Sequence, residues 1–240
     1  MKPFHLRHFS LHHHRSAQRI GTDSLLLGAW AQQQRSQRIL DVGSGCGLLA
    51  FMLAQRYPEA QVAGVEVHAA SHAEALANRA ANPAFAHLHF HHCAFQDFAA
   101  CGQKWDLLVS NPPYFDHAYP QQAARQPERH RARHQTDLTL EALFAQSRGL
   151  LQPGGSLQLI LPVAQHQRLV KHLPAQGWQL HRRQAVLPKP GRPAHRVLSA
   201  WRPTQESQSP QHEKPLPIRD EQGLYSEAYQ ALTRNFHPWI

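Results

Sequence analysis

Three glycines at alternate positions separate a short apolar run from a helical pattern. The apolar run covers residues 38–42, the sequence Gly-Ser-Gly-Cys-Gly fills 43–47, and apolar residues then recur at helical spacing to residue 56. Glycine tolerates positive φ and close backbone approach, and the first turn of a helix offers unpaired N–H groups. The pattern therefore predicts a strand, a tight turn and a helix against which a ligand can lie. The spacing is not Gly-x-Gly-x-x-Gly, so the dinucleotide fingerprint is not met.

A second strand pattern, at 61–67, ends with Glu66 and Val67. Glu66 follows the glycines by about 20 residues, the separation at which a strand-end carboxylate bonds ribose hydroxyls in nucleotide-binding folds. The simpler alternative is a solvated acid at a strand end.

The sequence Asn-Pro-Pro-Tyr at 111–114 directly follows a further strand pattern at 105–110. Two consecutive prolines exclude a continuing central strand, because neither offers an N–H to the ladder. The chain must turn at the carboxyl edge of the sheet, where open α/β sheets bind ligands. There the Asn111 side-chain oxygen and a nearby carbonyl can accept both N–H groups of a planar amine, while Tyr114 stacks on its face. An ordinary turn is the alternative.

Strand patterns alternate with helical patterns along most of the chain, which predicts an α/β fold with a mostly parallel sheet covered on both faces. The expected strands are 38–42, 61–67, 88–93, 105–110, 156–162, 178–186 and 196–202, and the expected helices are 47–56, 69–80, 137–151 and 163–173. Only a loop joins the last two strands, so one of them should be antiparallel. Residues 1–37 are expected to form an N-terminal extension, 38–202 the main domain, and 203–240 a linker and tail.

The charge balance favours a polyanionic partner. Lys and Arg number 25 against 16 Asp and Glu, a formal net charge of +9. Three cysteines at unpaired spacings suit a reducing cytoplasm. No apolar run approaches the roughly 20 residues of a membrane span, and the histidines at 5–14 match no metal-ligand spacing, so neither a membrane nor a metal is expected.

These motifs resemble those of known enzymes. Asp-x-Gly-x-Gly-x-Gly at 41–47 resembles motif I of class I S-adenosylmethionine (SAM) methyltransferases, and its order with Glu66 and Asn-Pro-Pro-Tyr resembles the amino-methyltransferases. Thr-Asp-x-x-x-Leu-Gly-Ala-Trp at 22–30 and Arg-Ala-Arg-His at 131–134 narrow this further. Over residues 4–202 the chain is similar to the bacterial tRNA1(Val) adenine-37 N6-methyltransferases.

The resemblance implies a Rossmann-like class I methyltransferase fold with a seven-stranded sheet, SAM as cofactor, and tRNA as substrate. Asn111, Pro112, Pro113 and Tyr114 would form the catalytic turn. The cofactor-binding residues would be Thr22, Asp23, Asp41, Gly43, Gly45, Gly47, Glu66, Val67, Asp97 and Asn111. For Thr22 and Asp23, and for Asp97, capping of a helix is an equal alternative.

A basic segment follows the catalytic turn and is interpreted as an RNA-phosphate clamp or lid, with a solvated loop as the alternative. Its candidate RNA-binding residues are Arg125, Arg129, Arg131, Arg133 and His134. A second basic group, at Arg182, Arg183, Lys189, Arg192 and Arg196, is as compatible with ordinary surface.

Three competing functions stay open from the sequence. A protein glutamine N5-methyltransferase uses the same Asn-Pro-Pro-Tyr turn, but those enzymes carry a helical substrate domain for which the residues before Gly43 are too few. A ribosomal RNA guanine-N2 methyltransferase has a related turn and often a second domain. A non-catalytic RNA-binding subunit with a SAM fold would bind SAM without transferring its methyl group.

Overall fold

The computed structural model describes residues 2–34, 36–112, 138–204 and 209–238. A large sheet contains β3 (Arg38–Val42), β4 (Gln61–Glu66), β5 (His89–His92), β6 (Trp105–Ser110), β7 (Leu151–Pro162), β8 (Trp178–Leu187) and β9 (Arg196–Pro203). A separate hairpin consists of β1 (Phe4–His5) and β2 (Ser10–Leu11), and the tail adds β10 (Gln211–His212) and β11 (Leu216–Pro217). The helices are α1 (Thr22–Trp30), α2 (Leu48–Arg56), α3 (Ala69–Ala81), α4 (Phe95–Ala99), α5 (Leu140–Leu150), α6 (Val163–His172) and α7 (Glu227–Thr233).

The strand order is β10-β8-β9-β7-β6-β3-β4-β5, with β11 also beside β8. Parallel pairing joins β5, β4, β3, β6 and β7, whereas β9 is antiparallel to both β7 and β8. The predicted seven-stranded, mostly parallel fold is confirmed, and two short strands of the tail extend it. The chain leaves β3 towards β4 on one side and later returns to β6 on the other. The carboxyl ends of β3 and β6 therefore border the switch point where α/β sheets bind ligands.

Alternate residues of the central strands enter two separate cores, as the period of two in a strand requires. Ile39, Leu107 and Val109 pack with α1 and α2 on one face. Leu40 and Leu108 pack with α4, α5 and α6 on the other. Burial on both faces explains why β3 and β6 read as continuous apolar runs.

Some boundaries differ from the expected ones. The strand expected at 156–162 begins earlier, at Leu151, and contains Pro153 and Gly154. Its register with β6 shifts from Trp105 opposite Leu151 to Leu107 opposite Ser156. The intervening residues bulge out and the strand resumes. The short elements β1, β2, α4, β10, β11 and α7 had no clear sequence pattern of their own.

Candidate functional site

The glycine turn joins β3 to α2 in a conformation that few other residues adopt. Gly43, Gly45 and Gly47 have φ values of +73°, +54° and +93°. The Gly43 N–H donates to the Val65 carbonyl at 2.9 Å, which fixes the turn to β4. A Cβ atom added at Gly43 or Gly45 would meet no described atom within 4 Å. The turn therefore presents open space beside its backbone. At Gly47 the added atom would instead lie 2.8 Å from the Phe90 ring, so that glycine serves packing.

Asp41 lies in β3 directly before this turn and is fully buried. Its Oδ2 accepts a hydrogen bond from the Ala50 N–H at 3.2 Å, whereas Oδ1 has no partner among the described residues. The pKa of Asp41 is raised to about 8, chiefly by burial. The Ala50 N–H opposes that rise, and the nearby Glu66 carboxylate adds to it. A buried acceptor without a partner is expected where a ligand group completes the site.

Glu66 ends β4 with 6 % of its surface exposed. Its Oε2 accepts from the Gly45 N–H and its Oε1 from the His68 N–H, both at 2.8 Å. The carboxylate thus holds the glycine turn in place through Gly45, and it lies at the carboxyl edge of the sheet, where ligands bind. Val67 is half-buried, and its carbonyl oxygen lies 3.1 Å from Nε2 of His92.

Asp97 follows β5 at the same edge of the sheet. Its side chain is exposed in the first turn of α4, whose N-cap is Ala94. The alternative of an Asp97 helix cap is therefore wrong, since Asp97 is the third residue of the helix.

Asn111 follows β6 and is half-buried beside the glycine turn. Its Nδ2 donates to Ser24 Oγ in α1 at 2.8 Å, which sets the orientation of the amide. The preceding Ser110 Oγ donates to the Val42 carbonyl at 2.7 Å and ties the end of β6 to the end of β3. Pro112 is buried, while Pro113 and Tyr114 lie outside the described residues.

Thr22 and Asp23 begin α1, and the N-cap is Gly21, with no hydrogen bond from a capping side chain. Neither residue is the cap considered as an alternative. Thr22 is exposed, whereas the Asp23 carboxylate pairs with Arg196 Nε of β9 at 2.8 Å. Helix α1 therefore contacts Asn111 through Ser24 and the start of strand β9 through Asp23.

The two basic groups have different outcomes. Arg125, Arg129, Arg131, Arg133 and His134 lie outside the described residues. In the second group, Arg182 is buried and pairs with Glu213, Arg196 pairs with Asp23, and Lys189 and Arg192 are exposed. The cations of that group therefore do not form one continuous surface.

A polar stripe on α3 anchors the N-terminal segment next to the site, and the sequence analysis missed it. Glu74 is 2 % exposed and accepts from the backbone N–H groups of His14, Arg15 and Ser16. Asn78 binds His12 N–H and carbonyl groups, and its Nδ2 also donates to the Cys46 carbonyl of the glycine turn at 3.0 Å. Polar residues at helical spacing in an alanine-rich helix were the available signal.

The described ranges of the chain contain no group of three His, Cys, Asp or Glu side chains arranged to hold a metal ion. None of the helices in those ranges is long and apolar enough to cross a membrane.

Comparison with solved structures supports the fold. A structure described as a predicted O-methyltransferase from Agrobacterium tumefaciens aligns with a TM-score of 0.68 at 18 % identity, over 89 % of this chain and 96 % of that one. A glycopeptide N-methyltransferase solved with SAM bound aligns with a TM-score of 0.53 at 14 % identity, over 75 % of this chain and 93 % of that one.

Comparison of sequences gives the family. The profile of the methyltransferase small domain matches residues 10–175. A tRNA1(Val) (adenine(37)-N6)-methyltransferase from Serratia proteamaculans is 37 % identical over 98 % of this chain and 89 % of its own length. The protein of that name from Edwardsiella ictaluri is 38 % identical over 98 % and 93 %. The resemblance drawn from the motifs is confirmed, and the chain belongs to the tRNA1(Val) (adenine(37)-N6)-methyltransferase family, within the methyltransferase small domain class.

Proposed function

We propose that this protein transfers a methyl group from SAM to N6 of an adenine in tRNA, with adenine 37 of a valine tRNA as the target. The observation that carries the proposal is the position of Asn111. Its amide is fixed by Ser24 at the carboxyl end of β6, one strand from the glycine turn that follows β3. An acceptor for an exocyclic amine thus lies beside a backbone turn of the kind that holds a nucleoside cofactor.

The described residues fit SAM. Open space beside Gly43 and Gly45 provides room for the methionine part. Asp41 Oδ1, which has no partner among the described residues, provides an acceptor once the carboxyl is ionised by a cationic group such as the SAM ammonium. Glu66 would accept from the ribose hydroxyls, since each carboxylate oxygen has a further lone pair beyond its bond to the turn.

The remaining predicted contacts to SAM are proposals of the same kind. Asp97 and the Val67 backbone would flank the adenine of SAM, while Thr22 and Asp23 would close over the cofactor from α1. SAM, when bound, supplies a methyl group on a sulfonium, which is already a strong electrophile.

The difficulty lies with the amine, whose lone pair is delocalised into the purine ring. Asn111 Oδ1 and the Pro112 carbonyl would accept the two N6 hydrogens and hold the nitrogen in the direction of the methyl group. These acceptors would also stabilise the positive charge that develops on the nitrogen, so that orientation and placed dipoles do the catalysis. The proton that the nitrogen sheds can leave to water, and a dedicated base is not required.

The substrate base must leave its stack to reach this edge, which costs less in a single-stranded loop than in a duplex. Tyr114, next to Pro113, would stack on the extruded base, a contact worth ~1–3 kcal/mol in other proteins. Arg125, Arg129, Arg131, Arg133 and His134 would bind RNA phosphates. A tRNA substrate and three free cysteines both fit the cytoplasm.

The test is incubation of the protein with labelled SAM and total tRNA from a strain that lacks the enzyme, followed by mass spectrometry of the nucleosides. We expect the label in N6-methyladenosine. Label in N2-methylguanosine, or in protein when a lysate is supplied, would contradict the proposal. Binding of SAM without any transfer would favour a non-catalytic subunit.

A further inference from the structure

The turn between β8 and β9 carries exposed cations on a stiff backbone. Lys189 and Arg192 are exposed and are interleaved with Pro188, Pro190 and Pro193. The Arg192 N–H donates to the Lys189 carbonyl at 3.2 Å, which closes a tight turn between them. Because proline fixes φ, the two cations are presented on a backbone with little freedom to lose on binding.

The C-terminal tail places a third cation beside this turn. The Ile218 N–H donates to the Leu187 carbonyl at 2.8 Å, and the Arg219 N–H donates to the Pro188 carbonyl at 3.0 Å. The Arg219 guanidinium lies 3.9 Å from the centre of the Tyr225 ring. Arg219 Nη1 donates to the Gly223 carbonyl at 3.3 Å, and stacking on an aromatic ring leaves the remaining N–H groups of the guanidinium able to donate to an anion.

The three cations line one open cavity of about 620 Å³, together with His195. No carboxylate is among the described residues that line it. The nearest acids in sequence are Asp220 and Glu221. Asp220 Oδ1 accepts from the Leu224 N–H at 2.8 Å and so stabilises its own loop, while Glu221 is exposed. In the described part of the chain, three cations and no carboxylate therefore surround a cavity whose lining includes the apolar Pro193 and Ala194, and its volume leaves room for a backbone phosphate and its sugar.

The cavity lies at the same edge of the sheet as Asn111. Strand β8 is antiparallel to β9, which is antiparallel to β7, so β8 and β6 end at the same edge. Two contacts trace the connection: Arg196, directly after His195, pairs with Asp23, and the adjacent Ser24 accepts from Asn111. An RNA strand that reaches Asn111 can extend over this cavity.

We propose that Lys189, Arg192 and Arg219 form a phosphate-binding surface that holds the backbone of the substrate RNA next to the extruded adenine. The RNA identity of the ligand rests on the proposed function. The surface uses none of the residues of the basic segment that follows Asn111 in sequence, and it involves the tail, which the catalytic motifs do not include. Contacts to phosphate position a nucleic acid without reading its bases.

The test compares two triple variants that lose the same charge. The first is Lys189→Gln, Arg192→Gln and Arg219→Gln. The control is Arg38→Gln, Arg168→Gln and Lys171→Gln, which removes exposed cations from the start of β3 and from α6. The dissociation constant for tRNA is measured over a series of salt concentrations, with the SAM dissociation constant as a check on the fold.

We expect the first variant to bind tRNA at least about tenfold more weakly and to lose about 2–3 from the slope of log K against log salt concentration. The slope of the control variant should fall by less than about 1, and both variants should bind SAM like the wild type. Equal slopes in the two variants would overturn the proposal. Because Arg219 contacts Tyr225, the double variant Lys189→Gln and Arg192→Gln is measured as well, and it should lose about 1–2.

Failure of this inference is distinguishable from failure of the proposed function. If the wild type produces N6-methyladenosine and the slopes are equal, the methyltransferase function stands and the surface does not. If the wild type produces none while the first variant loses slope, the surface binds RNA and the proposed reaction is wrong.

Discussion

The orientation of one amide depends on one hydroxyl. Asn111 Nδ2 donates to Ser24 Oγ at 2.8 Å, and Ser24 belongs to a helix that packs against the glycine-turn helix α2. With Nδ2 directed at the Ser24 hydroxyl, Oδ1 is the end of the amide that can accept from an amine. Catalysis by orientation requires this kind of fixed geometry.

Asn111→Ala should reduce kcat by on the order of 100-fold or more, the cost of removing one placed polar group from a reaction centre. Its SAM dissociation constant should stay within about twofold of the wild type. Ser24→Ala should lower kcat only about fivefold, because it loses one hydrogen bond of about 1 kcal/mol. Single-turnover kinetics and calorimetry measure both quantities. Wild-type turnover in Asn111→Ala would remove Asn111 from the mechanism.

Asp41 should make the stability of the ligand-free protein depend on pH. Its pKa of about 8 in the folded chain exceeds the ordinary value of 3.8 for an aspartate, so the folded chain holds a proton that the unfolded chain releases. This stabilising contribution is complete below pH about 4 and is lost as pH rises through about 8, at up to ~1.4 kcal/mol per pH unit. Asp41→Asn should flatten that slope in denaturant titrations between pH 5 and 8. An identical slope in the variant would contradict the assignment.

At the scale of elements, the site is built by contacts between segments distant in sequence. Helix α3, through Ser71, Glu74 and Asn78, and its C-cap residue Asn82 hold the backbone of the N-terminal segment. Burial opposes ionisation of Glu74, but donors from Ser16, Arg15 and His14 outweigh it and hold the pKa of that carboxyl below its usual value. A paired, buried acid of this kind fixes the segment in one position.

Substitutions at Asn78 and Asn82 distinguish two roles, anchoring of the N-terminal segment and positioning of the glycine turn. Both bind the N-terminal segment, but Asn78 also donates to the Cys46 carbonyl. Asn78→Ala should therefore weaken SAM binding by roughly tenfold, through a misplaced turn and an unsatisfied carbonyl. Asn82→Ala, the matched control, should change it less than about threefold. Calorimetry of SAM binding decides, and equal effects of the two variants would show that Asn78 does not act through the turn.

The elements with strong local patterns were predictable, and those held by distant backbone contacts were not. The runs at β3 and β6 are apolar because they are buried on both faces, and the glycines and prolines after them fix where the chain turns. The Glu74 anchor had no comparable pattern, because three of its donors are backbone N–H groups about 60 residues away. Residue types alone do not reveal such contacts. The partner of Asn111 likewise depended on where α1 docks.

At the scale of the whole molecule, an ion pair with a buried cation attaches the C-terminal tail to the domain. Arg182 of β8 is 6 % exposed, lies 3.6 Å from the centre of a Trp30 ring and pairs with Glu213 Oε1 at 3.2 Å. The other oxygen of Glu213 accepts from Trp30 Nε1 at 2.6 Å. One carboxylate therefore joins α1, the sheet and the tail, and a residue that the sequence grouped with surface cations is structural.

Glu213→Gln should lower the free energy of unfolding by about 2–3 kcal/mol, because it leaves the buried Arg182 guanidinium without its counter-charge. This is less than the roughly 3–5 kcal/mol lost when a fully buried pair is broken, since the Glu213 side chain is 22 % exposed. Lys214→Gln is the control, as a neighbouring exposed residue, and should change stability by less than about 0.5 kcal/mol. Urea unfolding measures both, and equal values would exclude the ion pair as the tail anchor.

The identity of the methyl acceptor is tested with two unmodified valine tRNA transcripts, one with adenine and one with guanine at position 37. With labelled SAM, the wild type should transfer one methyl group to each adenine-37 transcript and none to the guanine-37 transcript, and Asn111→Ala should transfer to neither in the same time. Equal methylation of both transcripts, or undiminished transfer by Asn111→Ala, would contradict the proposal that Asn111 holds N6 of adenine as the methyl acceptor.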